Sequence, residues 1–435
     1  MIVLVVNAGS SSLKYQLFDT EKNYAVLAKG LCDCIGLKEG GKIVHKVGEK
    51  KYETEVSVPN HSFAVELVVK ALTNKDYGVI RSMDEIEAVG HRIVHGGPYF
   101  SESVLVTEQV LKNLEKCRPL APLHTGAHIQ GIEGITAVLK GVPQVLVIDT
   151  GFHCSMSEVA KTYALPKDIA EDLAIRRYGA HGTSHRYVSG EMCRILGKTE
   201  GTKIVTCHLG NGSSISAVKD GKCFDTSMGL TPLAGIIMGS RTGDMDPAVV
   251  PFLLENYERV PAEHRPKGYE TLTVSNVNNF MNKTCGLLGV SGTSSDMRAV
   301  IKEIETDEHG KAKEAKLAYD VLVYGIKKYI GAYAAAMDGV DAIVFTAGIG
   351  ENNAAIRSDV CRNMSYLGIE LDEEVNAAAR GTITKLNSER SKVQVYLIPT
   401  DEELVIAKDT ESHPEARHHS VLHGQAQHIR LPSSP

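Results

Sequence analysis

Apolar runs that pass through a short glycine and serine turn into a second, alternating run occur twice along the chain. The first occupies residues 3–19, VLVVNAGSSSLKYQLFD, and the second occupies residues 203–222, KIVTCHLGNGSSISAVKDGK. Each pattern predicts a β-hairpin, because alternation places side chains on the two faces of a strand and Gly and Ser favour the turn. Two similar hairpins in one chain indicate a duplicated domain, with chance similarity as the alternative.

Further buried strands are predicted where apolar runs end in polar residues, and helices are predicted between them. The strand candidates are residues 87–97, 144–153, 342–352 and 393–404. Helical patterns cover residues 61–74 and 312–337, the second with apolar residues at three and four spacing. Alternating strands and helices predict an α/β architecture, in which ligands bind where strands end in loops.

The composition is that of a globular protein and narrows the classes of partner. The 435 residues are 43% hydrophobic and carry a formal net charge of -6. We therefore expect two or more domains and neither a nucleic-acid nor an anionic-membrane surface, since both need a basic field. No run approaches the ~20 apolar residues of a spanning helix, so we expect a cytoplasmic protein. The nine cysteines lack paired CxxC spacing, which favours reduced, mostly buried thiols.

The two hairpin turns, AGSSS and HLGNGSS, contain the residues expected of a phosphate cradle. Consecutive backbone amides converge on an anion, glycine permits its close approach, and serine hydroxyls add donors. Neither turn is a P-loop, since GxxxxGK[ST] is absent. A plain hairpin is the simpler interpretation of either turn alone. TAGIGEN, residues 346–352, offers small residues on which a base or ribose could lie, or a tight strand-to-helix connection.

Arginines and a histidine in glycine-rich stretches are candidates for holding an anionic acceptor. Arg92 lies in HRIVHGG and Arg241 in MGSRTGDMDP, and the planar guanidinium matches carboxylate or phosphoryl oxygens. His181 and His185 are four residues apart in RRYGAHGTSH, but the glycine and serine between them argue against a zinc-binding helix. We interpret His181 as a donor to a phosphoryl group, whereas a structural role is a strong alternative for His185.

Two carboxylates at predicted strand ends are candidates for a site near Mg²⁺. Asp149 ends the VLVIDT strand, and Glu402 lies in PTDEEL. A Mg²⁺ ion that bridges nucleotide phosphates keeps several waters and needs only one or two protein oxygens. Helix capping by Asp401 or Glu402 is the structural alternative.

Together these motifs resemble the acetate kinases, members of the acetate and sugar kinase, Hsp70 and actin superfamily. The similarity runs from residue 1 to about 410 and rests on NAGSSSLK, GHRIVHGG, HGTSH, CHLGNGSS, GSRTGDMDP, FTAGIGEN and IPTDEEL. The resemblance implies a duplicated, actin-like (ribonuclease H-like) α/β fold of two domains with an active-site cleft between them. It also implies a homodimer that transfers a phosphoryl group reversibly and in line between ATP and acetate, giving ADP and acetyl phosphate, with Mg²⁺ or Mn²⁺.

The resemblance also implies the domain boundaries. Residues 1–150 form an N-terminal domain that a C-terminal helix at about residues 404–412 completes. Residues 151–403 form the nucleotide-binding and dimerisation domain. The remaining residues, 413–435, are rich in histidine and proline without apolar periodicity, so we expect a flexible tail.

Roles for individual residues follow from the same resemblance. The residues implied to be catalytic are Arg92, Asp149, His181 and Arg241, and those near the metal are Asn7 and Glu402. The residues implied to bind acetate are Arg92, Val94, Leu123, His124, Ala180 and Pro232. The residues implied to bind the phosphates and adenosine are Ser10, Ser12, Lys14, His208, Gly210, Asn211, Gly212, Gly348, Ile349, Gly350 and Asn352. Phosphoryl transfer needs mainly alignment and charge neutralisation, and acetate is ionised at neutral pH, so no general base is required.

The sequence departs from the usual family pattern in three places. Thr125 and Gly126 stand where the family usually has Asn-Pro, Gly151 stands for Ala, and Ala180 stands for a Phe of the acetate methyl pocket. A methyl in place of a ring predicts a wider pocket and better use of propionate or butyrate, unless a neighbouring side chain fills the gap. Two other functions are therefore open: a propionate or other short-chain carboxylate kinase, and an ATP-gated switch of the actin or Hsp70 kind. A switch would not need two arginines and a histidine to grip a carboxylate.

Overall fold

The computed structural model describes residues 1–122 and 124–420. The chain divides into two compact units, each with its own β-sheet. The first unit comprises Met1–Phe152 and the chain from Asp401 onward, and the second comprises His153–Thr400.

The described residues form fourteen β-strands and, up to Ser412, fifteen α-helices, which a helical stretch at residues 414–420 follows. The strands are β1 (Ile2–Ala8), β2 (Leu13–Asp19), β3 (Ala25–Asp33), β4 (Lys42–Val47), β5 (Lys50–Glu55), β6 (Ala88–Ile93), β7 (Val104–Leu105), β8 (Gln144–Ile148), β9 (Lys203–Leu209), β10 (Ser213–Lys219), β11 (Lys222–Thr226), β12 (Ala342–Thr346), β13 (Thr384–Lys385) and β14 (Gln394–Leu397). The helices are α1 (His61–Leu72), α2 (Glu108–Lys116), α3 (Thr125–Val138), α4 (Glu158–Lys161), α5 (Lys167–Asp172), α6 (Gly182–Leu196), α7 (Val249–Asn256), α8 (Val277–Lys283), α9 (Gly286–Ser291), α10 (Met297–Thr306), α11 (Ala312–Ala336), α12 (Ala347–Asn352), α13 (Ala354–Cys361), α14 (Glu373–Ala378) and α15 (Glu402–Ser412). Short 3₁₀ helices lie at Thr20–Lys22, Met83–Glu85, Arg118–Leu120, Gly151–Ser155, Tyr257–Arg259, Ala262–His264 and Ser365–Leu367.

The two sheets share a six-strand arrangement. The first sheet has the order β5-β4-β3-β2-β1-β6-β8-β7, and the second has the order β11-β10-β9-β12-β14-β13. In the first sheet β3, β2 and β1 are antiparallel, β1, β6 and β8 are parallel, and β7 is antiparallel to β8. The second sheet repeats these orientations. Its strands β11, β10 and β9 are antiparallel, β9, β12 and β14 are parallel, and β13 is antiparallel to β14. The duplication predicted from the two hairpins is confirmed, and the β4–β5 hairpin is an addition to the first sheet.

Each sheet is packed on both faces, as parallel strands require. In the first unit α1 and α3 lie on one face, where Leu4 and Val6 are buried, and α15 lies on the other, where Val3 and Val5 contact Ile406. In the second unit α11 packs on β9 and β10 and α6 packs on β9 and β12. Alternation along β9 therefore places His208 on the face opposite to the apolar core that contains Val205, Cys207 and Leu209.

The strands and helices predicted from periodicity are confirmed at the positions that carry the architecture. Residues 61–74 contain α1 and residues 312–337 contain α11, whereas 87–97, 144–153, 342–352 and 393–404 contain β6, β8, β12 and β14. Within the TAGIGEN stretch Thr346 ends β12 and residues 347–352 form the short helix α12, so the tight strand-to-helix connection is present.

The C-terminal stretch continues beyond α15. Residues 414–420 are helical, Ala416 is fully buried in the same cluster as Ile406, and Ser420 donates a hydrogen bond to Glu87 at 2.5 Å. Residues 421–435, the rest of the predicted tail, lie outside the described residues.

Two general expectations can be compared with the described part of the chain. No helix in it is both long and apolar enough to cross a membrane. All nine cysteines are free, and six of them are buried, in agreement with the expectation of mostly buried thiols.

Candidate active-site residues

The β1–β2 hairpin in the first unit holds its turn by backbone contacts and leaves polar side chains unengaged. The Gly9 amide donates to the Ser12 carbonyl at 2.7 Å, and His61 Nε2 donates to the Gly9 carbonyl at 2.7 Å. Asn7 and Lys14 are directly opposite each other on the two strands. The side chains of Asn7, Ser10 and Ser12 make no hydrogen bond to any other described residue. Their donors and acceptors are therefore available to a ligand.

Arg92 in the first unit is held by carboxylates at the ends of the parallel strands. Its Nη2 donates to Asp149 Oδ2 at 2.6 Å and lies 3.8 Å from Glu402 Oε1. Asp149 is fully buried directly after β8, and its amide donates to the Ile93 carbonyl at the end of β6. Burial, the largest effect, lowers the pKa of Arg92, but the charges of Asp149 and Glu402 raise it above its ordinary value. Arg92 Nε is buried and has no hydrogen-bond partner among the described residues.

In the first turn of α15, helix capping and the predicted ligand role belong to two different residues. Asp401 caps the helix by accepting from the Leu404 amide at 3.0 Å. Glu402 begins the helix with its side chain 23% exposed and near Arg92. The capping alternative therefore applies to Asp401, and the Glu402 carboxylate is directed elsewhere.

The remaining candidates of the first unit surround α3. Val94 is buried, and its amide donates to His128 Nε2 at 3.2 Å. Burial lowers the pKa of His128 to about 3, which keeps its ring neutral and able to accept. His124 lies directly before α3, and Thr125, at a position that departs from the family pattern, donates from Oγ1 to the Ala121 carbonyl at 3.1 Å. Leu123 lies outside the described residues.

Histidines of the second unit form a stacked group where α6 meets β9 and β10. His181 begins the helix in a left-handed conformation, with φ of 55°, and its Nδ1 is 2.9 Å from Ser214 Oγ. Its ring stacks on that of His208 with centroids 4.1 Å apart. His185 is fully buried, and its two ring nitrogens each lie 2.7 Å from a hydroxyl, of Thr206 and of Ser214. The structural alternative therefore describes His185, whereas Nε2 of His181 is directed toward Gly212.

Arg241 approaches the same point from a different loop. A Cβ atom placed on Gly212 would lie 3.4 Å from His181 Nε2 and 3.6 Å from Arg241 Nη1. Arg241 Nη1 donates to the Pro232 carbonyl at 3.0 Å. No carboxylate of the described residues pairs with this guanidinium, and burial lowers its pKa below the ordinary value for arginine. The glycine turn, the histidine and the arginine together form a small positively polarised region.

Ala180 is packed by methionines that are distant in sequence. It is 3% exposed and forms a buried cluster with Met228 and Met238. The Met238 sulfur is 3.9 Å from Arg241 Nη1. The space that a phenylalanine would take at this position is therefore bordered by two flexible side chains.

A cavity of about 550 Å³ in the second unit contains most of the predicted adenosine residues. Its lining residues are Gly210, Asn211, Ser295, Asp296, Met297, Arg298, Gly348, Ile349, Asn352 and Asn353. The sequence predicted five of these, and it missed residues 295–298 and Asn353. The missed stretch carried one signal, because Ser-Ser-Asp before an apolar run is a typical helix start. Asp296 does cap α10 by accepting from the Arg298 amide.

A buried arginine that the sequence analysis missed fixes the helix beside this cavity. Arg357 is fully buried, and its Nη1 donates to the carbonyls of Gly350 and Glu351 at 2.8 and 3.0 Å. Its Nε donates to Asn376 Oδ1 at 2.8 Å. Burial lowers the pKa of Arg357 to about 10, so it remains charged at neutral pH. Arg357 thus satisfies two backbone carbonyls at the end of α12. Three other residues of this helix line the cavity: Gly348, Ile349 and Asn352.

The family model described as the acetokinase family matches residues 2–408. The chain belongs to the acetokinase family. Acetate kinase 2 of Clostridium perfringens is 50% identical over 414 residues, which are 95% of this chain and 99% of that protein. The acetate kinase of Heliobacterium modesticaldum is 50% identical over 94% of this chain and 98% of its own length.

Solved structures of acetokinase relatives have the same fold. The crystal structure of Porphyromonas gingivalis acetate kinase has a TM-score of 0.86 and 45% identity, covering 94% of this chain and 99% of that one. A propionate kinase from Francisella tularensis has a TM-score of 0.84 and 37% identity, covering 94% and 99%. The expected two-domain α/β kinase fold is therefore confirmed.

Proposed function

We propose that the chain is an acetate kinase, which transfers the terminal phosphoryl group of ATP reversibly to acetate and forms acetyl phosphate and ADP. Family membership over residues 2–408 supports the reaction. The decisive structural observation is the turn Gly210–Asn211–Gly212. Gly210 and Asn211 line the 550 Å³ cavity, while Gly212 lies beside His181 and Arg241. One turn thus joins a nucleotide-sized cavity to a pair of groups suited to a transferring phosphoryl group.

The cavity is proposed to hold the nucleotide. Its volume lies in the range of small-molecule sites. The apolar side chains of Met297 and Ile349 and the backbone of Gly348 provide flat surfaces for a base, and the Asp296 carboxylate is an acceptor for ribose hydroxyls. The phosphates would extend toward Gly212, where glycine leaves room for close approach to the backbone.

Arg241 and His181 are proposed to act on the group in transfer. The Arg241 charge has no carboxylate partner in the described residues, so it is available to an anion. His181 holds Nδ1 near Ser214 and leaves Nε2 facing Gly212. A donor fixed before the reaction stabilises charge that develops in the transition state without further reorganisation. Acetate is already a carboxylate, so no residue needs to remove a proton from it.

In the first unit Arg92 is proposed to bind acetate or the transferring group, with Asp149 fixing its orientation. The 2.6 Å bond to the buried Asp149 holds one side of the guanidinium, and Nε has no hydrogen-bond partner among the described residues. Val94 and His124, which belong to the same unit, contribute to this acetate site in the proposal.

Asn7 and Glu402 are the residues that would hold Mg²⁺ or Mn²⁺. These ions prefer hard oxygen donors. Asn7 offers an amide oxygen without a hydrogen-bond partner among the described residues, and Glu402 offers a partly exposed carboxylate. The described residues contain no group of three or more His, Cys, Asp or Glu that could hold a metal, which agrees with an ion that binds mostly water and phosphates. When bound, the ion would neutralise charge on the nucleotide phosphates. The Ser10 and Ser12 hydroxyls and Lys14 are proposed to donate to phosphate oxygens as well.

We also propose that the enzyme is a cytoplasmic homodimer. Leu317, Val321 and Tyr324 are exposed on one face of α11, with Tyr324 66% exposed, and Phe252 of α7 is 62% exposed. Apolar side chains at such spacing on two helices of one unit are typical of an interface. Sedimentation of the wild-type chain and of Tyr324→Lys at micromolar concentrations tests this proposal. A wild-type chain that sediments as a monomer would contradict it.

The acyl preference depends on Ala180 and its neighbours. Because Met228 and Met238 border this position, we propose acetate as the preferred acceptor and propionate as a poorer one. The adaptable methionines favour some use of propionate as a second substrate.

Hydroxamate formation from acyl phosphate tests the reaction directly. With ATP and Mg²⁺, the chain should give product with acetate, less with propionate and least with butyrate, in order of kcat/KM. An equal or rising series would favour the short-chain carboxylate kinase. ATP hydrolysis without any acyl phosphate would support the ATP-gated switch instead.

A further inference from the structure

A second cavity, lined by charged residues, lies in the first unit, and the sequence analysis assigned no function to it. It has a volume of about 360 Å³. Its lining residues are Lys14, Tyr15, Gln16, Lys29, Gly30, Leu31, Val44, Lys46, Lys51 and Glu403. Four of these ten residues are lysines and one is a carboxylate, so the lining carries a net positive charge in a chain whose net charge is -6.

Strand register places the lysines on one face of the sheet. Gln16 is opposite Val5 on β1 and opposite Lys29 on β3. Lys29 is opposite Lys46 on β4, and Lys46 is opposite Lys51 on β5. Directly opposed residues share a face, so the three lysines lie on the face that Val5 shares with α15. We call Lys29, Lys46 and Lys51 the lysine row.

The lysine row is beside the part of this face that α15 covers. The helix packs against β1, β6 and β8. Lys29, Lys46 and Lys51, on the neighbouring strands, are exposed. Leu31 and Val44 lie in the adjacent row and are half-buried, so they provide an apolar floor next to the charges.

The charges of the row are poorly compensated. Lys51 contacts Glu53 at 2.5 Å, but Lys29 and Lys46 form no ion pair with a carboxylate of the described residues. Neighbouring strands are about 4.8 Å apart, and like charges directly opposite each other destabilise a sheet. An anion that contacts two or three of these ammonium groups would remove that repulsion.

We propose that the lysine row and its cavity bind a small multivalent anion with the chemistry of a diphosphate. Lysine is a point donor that suits phosphate oxygens without fixed geometry, and the cavity corresponds to roughly a dozen water molecules at ~30 Å³ each. This site is separate from the residues proposed for acetate kinase activity, apart from Lys14 at its border. The proposal does not depend on that activity.

Protection of individual lysines from reductive methylation, read by mass spectrometry on the full chain, tests the site. Inorganic pyrophosphate should slow modification of Lys29 and Lys46 at least threefold. Lys50, which lies on the opposite face by alternation, is the internal control and should be unaffected. Orthophosphate at matched ionic strength should protect less, because it contacts fewer ammonium groups. Equal protection by sodium chloride at that ionic strength would overturn the proposal, because it would reduce the effect to screening.

A pair of matched double variants gives a second readout. In Lys29→Gln with Lys46→Gln, the pyrophosphate concentration that half-protects Lys51 should rise at least tenfold. In Lys22→Gln with Lys50→Gln, which removes the same charge elsewhere, it should stay unchanged. All four lysines are exposed, so both variants should keep the wild-type Tm within a few degrees. Unchanged protection of Lys51 in the first variant would overturn the proposal, because it would show that Lys29 and Lys46 do not contact the anion.

Discussion

Arg92 and Arg241 lie in the two units of a duplicated fold, yet their surroundings are electrostatically opposite. Arg92 contacts the buried Asp149 and lies near Glu402, so its charge is compensated and its orientation is fixed. Among the described residues, the Arg241 guanidinium donates to the Pro232 carbonyl, lies 3.9 Å from the Met238 sulfur and has no carboxylate partner. From this difference we propose a division of labour, in which Arg241 supplies net positive charge and Arg92 supplies a hydrogen-bond donor with a fixed orientation.

Arg241→Ala should give the largest effect. Removal of an uncompensated charge at the transferring group should lower kcat by roughly 10³-fold. Arg241→Lys keeps the charge but loses the fork, and it should recover only part of the rate. Coupled assays of ADP formation measure both. A loss in Arg241→Ala that appears only in the KM for acetate would contradict a role in the transition state.

Asp149→Asn should reduce kcat by about 10²-fold, because a guanidinium released from its carboxylate no longer holds the reacting groups in line. The amide oxygen can still accept a hydrogen bond, so Tm separates loss of position from loss of folding. The matched control is Asp225→Asn, which removes a carboxylate near Arg177 in the second unit. Wild-type kcat in the Asp149 variant would show that Arg92 needs no fixed orientation.

Gly212→Ala tests the space beside Arg241 and His181. The added methyl would lie 3.4 Å from His181 Nε2 and 3.6 Å from Arg241 Nη1, an ordinary packing distance that the fold tolerates. It would occupy the space proposed for the phosphoryl group, so kcat should fall about tenfold with little change in Tm. Gly190→Ala, where the added Cβ meets nothing within 4 Å, is the control. Equal rates in the two variants would remove Gly212 from the proposed site.

Met238→Ala should have the smallest effect, on acyl preference alone. Shortening the side chain that packs on Ala180 should raise the propionate-to-acetate ratio of kcat/KM roughly fivefold, equivalent to about 1 kcal/mol. Met238→Leu keeps the volume and should leave the ratio unchanged. If the ratio stays constant in Met238→Ala as well, Met238 does not border the acyl group.

Sequence reasoning predicted those features that depend on local pattern. The strands β1 and β9 follow from apolar runs, β2 and β10 follow from alternation, and α1 and α11 follow from apolar spacing. The sequence leaves helix capping and a ligand role open for Asp401 and Glu402, because both residue types suit either role. Only the position of the helix start distinguishes them: Asp401 caps α15, and Glu402 lies near Arg92.

The features that sequence reasoning missed depend on contacts between distant residues. Residues 295–298 line the cavity only because the start of α10 lies near the turn after β9 and near α12. Arg357 has no local signal, since its partners are carbonyls of the preceding helix and a side chain nineteen residues later. At Ala180 the sequence leaves a wider pocket and a filled gap as alternatives, and the packing of Met228 and Met238 on this residue favours the second.

The position of α15 has a consequence for the order in which the molecule is completed. Val3 and Val5 of the first strand are covered by Ile406 and Ala407 from the last described part of the chain. During synthesis, one face of the N-terminal sheet must therefore stay open to solvent until roughly four hundred residues have been added, leaving it exposed to chaperones. A chain shortened before α15 would keep that apolar face uncovered, so we expect it to aggregate even though every strand of its first sheet is present.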